Sequence, residues 1–245
     1  MKSKENIILQ TLNLSKKFGK KWAVRGINLT VYKGDIFGFL GPNGAGKSTT
    51  IRMIIGLIFP TSGDIYINNQ NYHHQHPQRR KIIRALVEEP NFYEYLSGLD
   101  NLKILARLSG KNVKKETIEN SLKKVGLFSR RFDKVGAYSR GMKQRLGIAQ
   151  ALMDKPEFII LDEPTTGLDP HGIKEIRTLI QRLNTTENIT FLISSHILQE
   201  IEKTCNRMAI VQEGNLLTQG KMNELLKEKS LEEYYISLTR REGVS

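Results

Sequence analysis

Residues 41–48 read GPNGAGKS, and this stretch decides the fold. It matches the pattern G-x-x-x-x-G-K-[ST], with a short apolar run over 35–40 (DIFGFL) before it and a helical pattern over 47–56 after it. A strand, a glycine-rich loop and a helix in this order place several backbone N–H groups and a helix N-terminus around one anionic group. We therefore predict that the loop wraps the phosphate chain of a nucleoside triphosphate.

Individual residue types in this loop have separate chemical tasks. Lys47 is expected to reach the β- and γ-phosphates, and the Ser48 hydroxyl is expected to ligate Mg²⁺. The loop alone does not separate a kinase, a GTPase and an ATP-driven motor, because all three use it. The residues predicted to contact the nucleotide here are Gly41, Pro42, Asn43, Gly44, Ala45, Gly46, Lys47, Ser48 and Thr49.

Short apolar runs alternate with helical patterns on both sides of the loop, which is typical of an α/β core with a mainly parallel sheet. Apolar residues at helical spacing predict a mostly helical insertion at about 90–153. Strands are predicted over 7–14, 22–31, 35–40, 64–67, 81–87, 158–161, 190–194 and 208–212. Helices are predicted over 47–56, 99–108, 113–125, 142–153, 173–183, 197–203 and in a charged tail from 221.

The composition of the 245 residues excludes several classes of protein. The one cysteine, Cys205, excludes an internal disulfide and a cysteine-based zinc site. The longest apolar stretches fall far short of the roughly 20 residues that a membrane span needs, and the first residues contain no apolar signal core. We expect a cytoplasmic chain, whose net charge of +13 could serve nucleic acid, anionic lipid, an anionic ligand or plain solubility.

A second candidate site follows an apolar strand pattern over 158–161. Asp162 and Glu163 come directly after it. Hydrolysis of a nucleoside triphosphate needs one acidic group near Mg²⁺ and another group that orients or deprotonates water. We assign the first role to Asp162, as a metal ligand, and the second to Glu163, as a catalytic residue.

Residues 138–142 read YSRGM, shortly before that strand, and open a helical pattern. With the phosphate loop and the acidic pair in the same order, the chain resembles the nucleotide-binding subunits of ABC transporters along essentially its whole length. The family signature is usually Leu-Ser-Gly-Gly-Gln, and Ser139 and Gly141 match the positions that contact the γ-phosphate. Arg140 and Met142 depart from it. The resemblance leaves the role of the added positive charge open.

The resemblance implies an α/β fold, with a P-loop NTPase core of ABC type, an N-terminal antiparallel β subdomain and a helical insertion. It implies an ABC ATPase domain over 1–220 and a helical tail over 221–245. It also implies a head-to-tail dimer with two ATP molecules and Mg²⁺, in which the signature of one subunit closes over the ATP of the other. Further matching positions are Asp169 in the loop that crosses this interface, His196 as the residue that senses the γ-phosphate, and Phe18 as the aromatic that stacks on adenine.

Glu88 marks a second departure from the family, which usually has a glutamine at this position before the helical insertion. We expect Glu88 to contact Mg²⁺, to take part in catalysis and to couple the site to a membrane partner. This glutamate and the Ser-Arg-Gly-Met signature resemble the subgroup that works with bacitracin-resistance and lantibiotic-immunity permeases. That likeness favours an exporter of peptide antibiotics or other amphipathic cargo.

The expected partners are a separate transmembrane permease and a second ATPase subunit, either identical or homologous. The chain would then lie on the inner face of the cell membrane, held there by the permease. The aromatic run over 91–96 (NFYEYL) either lines a groove for a permease helix or forms a hinge under the helical insertion. Two other functions stay open: an importer subunit, and a soluble ABC-type ATPase acting on nucleic acid or ribosomes. We expect no nucleic acid partner, because relatives of the latter kind usually carry two ATPase domains or a long coiled coil.

Overall fold

The computed structural model describes residues 6–71, 82–87, 90–109 and 113–239. Its strands are β1 (Ile7–Phe18), β2 (Lys21–Ile27), β3 (Thr30–Tyr32), β4 (Ile36–Leu40), β5 (Ser62–Ile67), β6 (Gln70–Asn71), β7 (Ile83–Leu86), β8 (Phe158–Asp162), β9 (Thr190–Ser195), β10 (Arg207–Gln212) and β11 (Asn215–Lys221). Its helices are α1 (Lys47–Ile54), α2 (Gly98–Leu108), α3 (Lys115–Lys124), α4 (Arg140–Leu152), α5 (Pro170–Glu187), α6 (Leu198–Thr204), α7 (Met222–Leu226) and α8 (Leu231–Thr239). None of these helices is long and apolar enough to cross a membrane.

The larger sheet has the strand order β11-β10-β4-β9-β8-β7 and is parallel except for β11, which pairs antiparallel with β10. All five residues of β4 are buried, as expected for a parallel strand covered on both faces. Leu40 pairs with Ser195, and Asp162 pairs with Ser194. The carboxyl ends of β4, β8 and β9 therefore meet at one edge, where the ligand sites of such sheets lie.

The smaller sheet has the order β2-β1-β5-β6, with β3 also paired to β1, and its pairs are antiparallel. The predicted α/β fold with an N-terminal antiparallel β subdomain is therefore confirmed. Strand β1 runs on to Phe18, beyond the predicted end at residue 14. It contains a left-handed Asn13 (φ 50°) and shifts of register against β2 and β5. This extension brings Phe18 opposite Lys21, at the tip of the β1–β2 hairpin.

Three helices, α2, α3 and α4, pack on one another as the predicted helical insertion. Asn101 is fully buried and joins α2 to the preceding loop, because its side chain accepts from Tyr93 N (2.8 Å) and donates to Tyr93 O (3.0 Å). Helix α4 is exposed where it begins and buried from Leu146 to Leu152 against the core. It therefore links the signature residues physically to the main sheet. The domain boundaries at 90–153, 1–220 and 221–245 stay predictions.

Some element predictions are wrong in detail. The single strand expected over 22–31 is two strands, β2 and β3, which are separated by residues 28–29 and pair with different parts of β1. Strand β11 was not predicted, since this edge strand has a half-polar sequence (NLLTQGK) without a clear apolar alternation. The charged tail forms two helices, and Leu231 of the second is fully buried in the core.

Gly38 in the middle of β4 allows helix α6 to approach the sheet closely. A Cβ atom at this position would lie 2.6 Å from Ile201 Cγ2 and 3.2 Å from Cys205 Sγ. Burial raises the pKa of the Cys205 thiol, so this neighbour is an uncharged packing group.

We expect Gly38→Ala to lower the free energy of unfolding by about 1–3 kcal/mol, since extra volume in a packed core forces its neighbours apart. Urea denaturation measures the loss. In the double variant Gly38→Ala/Ile201→Ala, the shorter side chain at position 201 makes room for the added methyl group. The loss of unfolding free energy in the double variant should therefore be smaller than the sum of the losses in the two single variants. Fully additive losses would contradict the close contact between β4 and α6.

Candidate nucleotide-binding and hydrolysis site

A cleft of about 760 Å³ opens between the phosphate loop and the β1–β2 hairpin, at the carboxyl edge of the larger sheet. Its volume lies in the ordinary range for small-molecule sites. The structure brings most of the predicted site residues together here. Those that line the cleft are Phe18, Asn43, Gly44, Gly46, Lys47, Ser48, Thr49, Glu163 and His196.

The phosphate loop closes onto α1 through Gly46, which has a left-handed backbone (φ 103°). A Cβ atom at Gly46 would lie 2.5 Å from the carbonyl oxygen of Ala23, so only glycine fits between loop and hairpin. Helix α1 begins at Lys47 directly after this turn. Its unpaired first N–H groups and its positive dipole end are therefore placed for an anion in the cleft.

Lys47 has a buried side chain, with 5% of its surface exposed. Its Nζ donates to Gly41 O at 2.8 Å and to Pro42 O at 3.3 Å, and lies 3.2 Å from Glu163 Oε1. Gly41, Pro42 and Ala45 are not among the residues that line the cleft. Gly41 and Pro42 hold Lys47 through their carbonyl oxygens, and Ala45 packs into the core beneath the loop.

Glu163 follows β8 in a left-handed conformation (φ 50°), which for a non-glycine residue costs about 1–3 kcal/mol. Its backbone N–H donates to Ser194 Oγ at 2.9 Å. Its Oε2 lies 2.7 Å from His196 Nδ1 and accepts from the Thr166 hydroxyl at 3.2 Å. The carboxylate is thus held from several sides, and it has the chemistry to accept a proton from a water molecule.

Asp162 is half-buried at the end of β8, and one of its carboxylate oxygens accepts a hydrogen bond from the Ser194 hydroxyl. Asp162 is not among the residues that line the cleft of Ser48, and it lines a smaller pocket that shares Glu163 and Thr166 with that cleft. The Asp162 carboxylate and the Ser48 hydroxyl are the hard oxygen ligands that Mg²⁺ prefers, so the chemistry of these two donors suits a magnesium ion. Glu88, the third predicted ligand and a predicted catalytic residue, lies outside the described residues.

Ser139, Gly141 and Asp169 are not among the residues that line the cleft of their own chain. Ser139 begins α4 as its N-cap and accepts from Met142 N at 3.2 Å, and Asp169 caps α5 by accepting from Gly172 N at 2.6 Å. Both side chains stabilise helix N-termini, and both residues are exposed. The structure therefore does not bring these three predicted residues to the nucleotide loop of the same chain.

Several residues that line the site were not indicated by the sequence. Trp22 and Arg25 on β2 and Glu213 after β10 line the cleft, although no motif marks them. Ser194 contacts both Asp162 and the backbone of Glu163. The only available signal for Ser194 was its position two residues before His196, at the end of an apolar strand pattern.

Glu200 on α6 is a further residue that the sequence did not indicate. The Thr165 hydroxyl donates to its carboxylate, and its Oε1 is buried without a hydrogen-bond partner in the part of the chain that the structure describes. Burial raises the pKa of Glu200, and the negative charge of Glu163 adds to this shift. The contact ties the helix after His196 to the loop after Glu163.

Comparisons with known proteins identify the family to which the chain belongs. The sequence pattern of the ABC transporter family matches residues 24–166. The chain is 49% identical over 220 residues to the bacitracin transport ATP-binding protein BcrA of Bacillus licheniformis, covering 90% of this chain and 72% of that protein. It is 40% identical over 210 residues to the lantibiotic transport ATP-binding protein SrtF of Streptococcus pyogenes, covering 86% of this chain and 89% of that protein.

Solved structures show the same fold. One is cbiO1 of Clostridium perfringens, part of the ABC transporter complex cbiONQ, with a TM-score of 0.83, 28% identity and coverage of 96% of both chains. Another is a dimeric ATP-binding cassette in a post-hydrolysis state with ADP and phosphate, with a TM-score of 0.76, 26% identity and coverage of 88% of this chain and 99% of that one. The chain therefore belongs to the ABC transporter family, as an ATP-binding subunit that hydrolyses ATP.

Proposed function

We propose that this ATPase drives a separate transmembrane permease that exports peptide antibiotics or other amphipathic cargo. The observation that carries the ATPase part is the Glu163 carboxylate, held 3.2 Å from Lys47 and 2.7 Å from His196 at the phosphate loop. The cargo class rests on relatives named for bacitracin and lantibiotic transport.

The chain's own residues divide the work of hydrolysis. Lys47 and the N–H groups of the loop bind the phosphates, and Ser48 and Asp162, with Glu88 as a further predicted ligand, would hold Mg²⁺. The metal would supply positive charge that neutralises the phosphate oxygens. Glu163 orients the attacking water and accepts its proton, while His196 and Thr166 fix the angle of the Glu163 carboxylate.

The signature residues support a head-to-tail dimer. Ser139 and Gly141 lie at the beginning of α4 and do not line the cleft of their own chain, which favours contact with a nucleotide bound by a second ATPase subunit. Asp169 begins α5 close by and would cross the same interface. The second subunit is another copy of this chain or a homologous ATPase.

The run over 91–96 supports a surface for the permease. Phe92 packs against the core, but Tyr93 and Tyr95 are 44% and 69% exposed and meet edge to face at 6.0 Å. Exposed tyrosines are enriched in protein interfaces, because their rings bury much area at little entropic cost. Docking here would place the ATPase on the cytoplasmic side of the membrane, peripheral to it.

The proposed cargo is tested in a bacitracin-sensitive and lantibiotic-sensitive bacterium that expresses the chain with its permease. We expect the inhibitory concentration of these peptides to rise with the native pair and not with a Glu163→Gln pair, while that of an unrelated small antibiotic stays constant. Equal inhibitory concentrations for the two pairs would contradict peptide export. ATP hydrolysis that nucleic acid stimulates in a salt-sensitive way, without a permease, would favour the soluble alternative that the +13 charge suggests.

Phe18 and Trp22 are two exposed aromatic rings at the cleft, 52% and 37% exposed, and they allow a matched test of adenine stacking. Loss of a stacked base costs about 1–3 kcal/mol, so we expect Phe18→Ala to raise the KM for ATP by roughly tenfold. Phe18→Tyr keeps the ring face and should retain the native KM. A raised KM for Trp22→Ala together with an unchanged KM for Phe18→Ala would assign the stacking to Trp22 instead.

A further inference from the structure

Arg140 replaces a glycine of the family signature, and the proposed function gives it no task. It is the first residue of α4, directly after the Ser139 cap. Its guanidinium lies against the backbone of Gly167, since a Cβ atom on Gly167 would overlap Nη1 and would lie 2.5 Å from Cζ and 3.2 Å from Nη2. The left-handed Gly167 (φ 72°) thus leaves the space that the Arg140 side chain fills.

The next residue of α4 does not make such a contact. A Cβ atom on Gly141 would meet Leu168 Cδ2 only at 4.0 Å and Gly172 Cα at 3.9 Å, so glycine leaves space there. The Arg140 side chain therefore carries the contact between the first turn of α4 and Gly167 in the loop 166–169.

The loop leads straight to the catalytic carboxylate. Thr166, next to Gly167, donates from its hydroxyl to Glu163 Oε2 at 3.2 Å and from its backbone N–H to Glu163 O at 3.2 Å. Arg140, Thr166 and Glu163 also line one pocket of about 200 Å³. Arg140 thus contacts Gly167, Gly167 is bonded to Thr166, and Thr166 donates a hydrogen bond to the Glu163 carboxylate.

We propose that Arg140 is a positioning residue: its guanidinium fixes the turn at Gly167, so that Thr166 holds the Glu163 carboxylate in the orientation needed for hydrolysis. A planar guanidinium suits this task, because its rigid fork is pre-organised and loses less conformational freedom than a flexible ammonium when it is held against a backbone turn. The inference rests on the proposed hydrolytic role of Glu163. In the proposed dimer, a nucleotide that binds at Ser139 and Gly141 would also affect, through Arg140, the orientation of the Glu163 carboxylate of the same chain.

The test measures steady-state ATP hydrolysis by the purified full chain. We expect Arg140→Gln to lower kcat by roughly tenfold with an unchanged KM for ATP, since a small misplacement of a catalytic group costs rate and not binding. Thr166→Val should lower kcat similarly. Because Arg140 acts through Thr166, the double variant should be no slower than Thr166→Val alone.

Lys103→Gln is the matched control, because it removes a cation from helix α2 of the same helical insertion, and Lys103 pairs with Asp100 at 2.9 Å and is not among the residues that line the pocket of Arg140 and Glu163. We expect this variant to keep the native kcat, and thermal melting should show all variants folded. Losses that multiply in the double variant, a native kcat for Arg140→Gln, or a raised KM at native kcat would each overturn the proposal. Failure of the proposed function is recognised separately, as native turnover in Glu163→Gln.

Discussion

Replacing Glu163 with glutamine should abolish ATP turnover while ATP binding persists. The amide has the size of the carboxylate, so the cleft keeps its shape. It is not basic enough to take a proton from water, and it loses the negative charge that Lys47 and His196 contact. A general base contributes about 10²–10⁴-fold to rate, so we expect kcat to fall at least a hundredfold.

Phosphate release measures this loss, and filter binding of labelled ATP measures the retained affinity. Glu157→Gln is a matched control, since Glu157 precedes β8 at the opposite end of the strand and pairs on the surface with Lys33 at 3.4 Å. It should hydrolyse ATP at the native rate. Native turnover in Glu163→Gln would remove Glu163 from its catalytic role.

Replacing Lys47 with alanine should remove most of the affinity for ATP. The Nζ of Lys47 is the buried cation at the centre of the phosphate loop, and the phosphate chain carries several negative charges for it to bind. Charge-assisted hydrogen bonds of this kind contribute about 1.5–3 kcal/mol each, so two of them give a loss of affinity of about 100-fold or more.

Isothermal calorimetry with ATP measures the affinity of Lys47→Ala directly. Lys33→Ala is the control, because it removes a surface cation from the far edge of the sheet and leaves the loop intact. Native affinity in Lys47→Ala would contradict the assignment of the cleft as the nucleotide site. An equal loss in Lys33→Ala would show that overall charge, and not the loop, governs binding.

The sequence predicts the core of the fold well, because its signals are local. The loop over 41–48 and the buried strands β4 and β8 carry uninterrupted apolar or glycine-rich patterns, and parallel pairing then fixes which strand ends meet. Asp162 is the last residue of β8, and Glu163 and His196 directly follow β8 and β9, so their meeting at one edge could be predicted from the order of the elements.

Contacts between distant segments could not be predicted, because they depend on the direction of single side chains. Nothing in the sequence places Trp22 beside Phe18 at the cleft or the Arg140 guanidinium on Gly167. The contact between Thr166 and Glu163 also needs the left-handed backbone of Glu163, which no residue type signals. These contacts add the positioning of Glu163 to a site whose chemistry the motifs already indicated.

The measurement that tests the whole account uses inside-out membrane vesicles containing this chain and its permease, with a fluorescent bacitracin or lantibiotic outside. We expect the peptide to accumulate in the vesicles when Mg²⁺ and ATP are added, and not when the chain carries Glu163→Gln. Accumulation that is independent of ATP, or equal with the native and the Glu163→Gln chains, would contradict the claim that hydrolysis at this site drives peptide export.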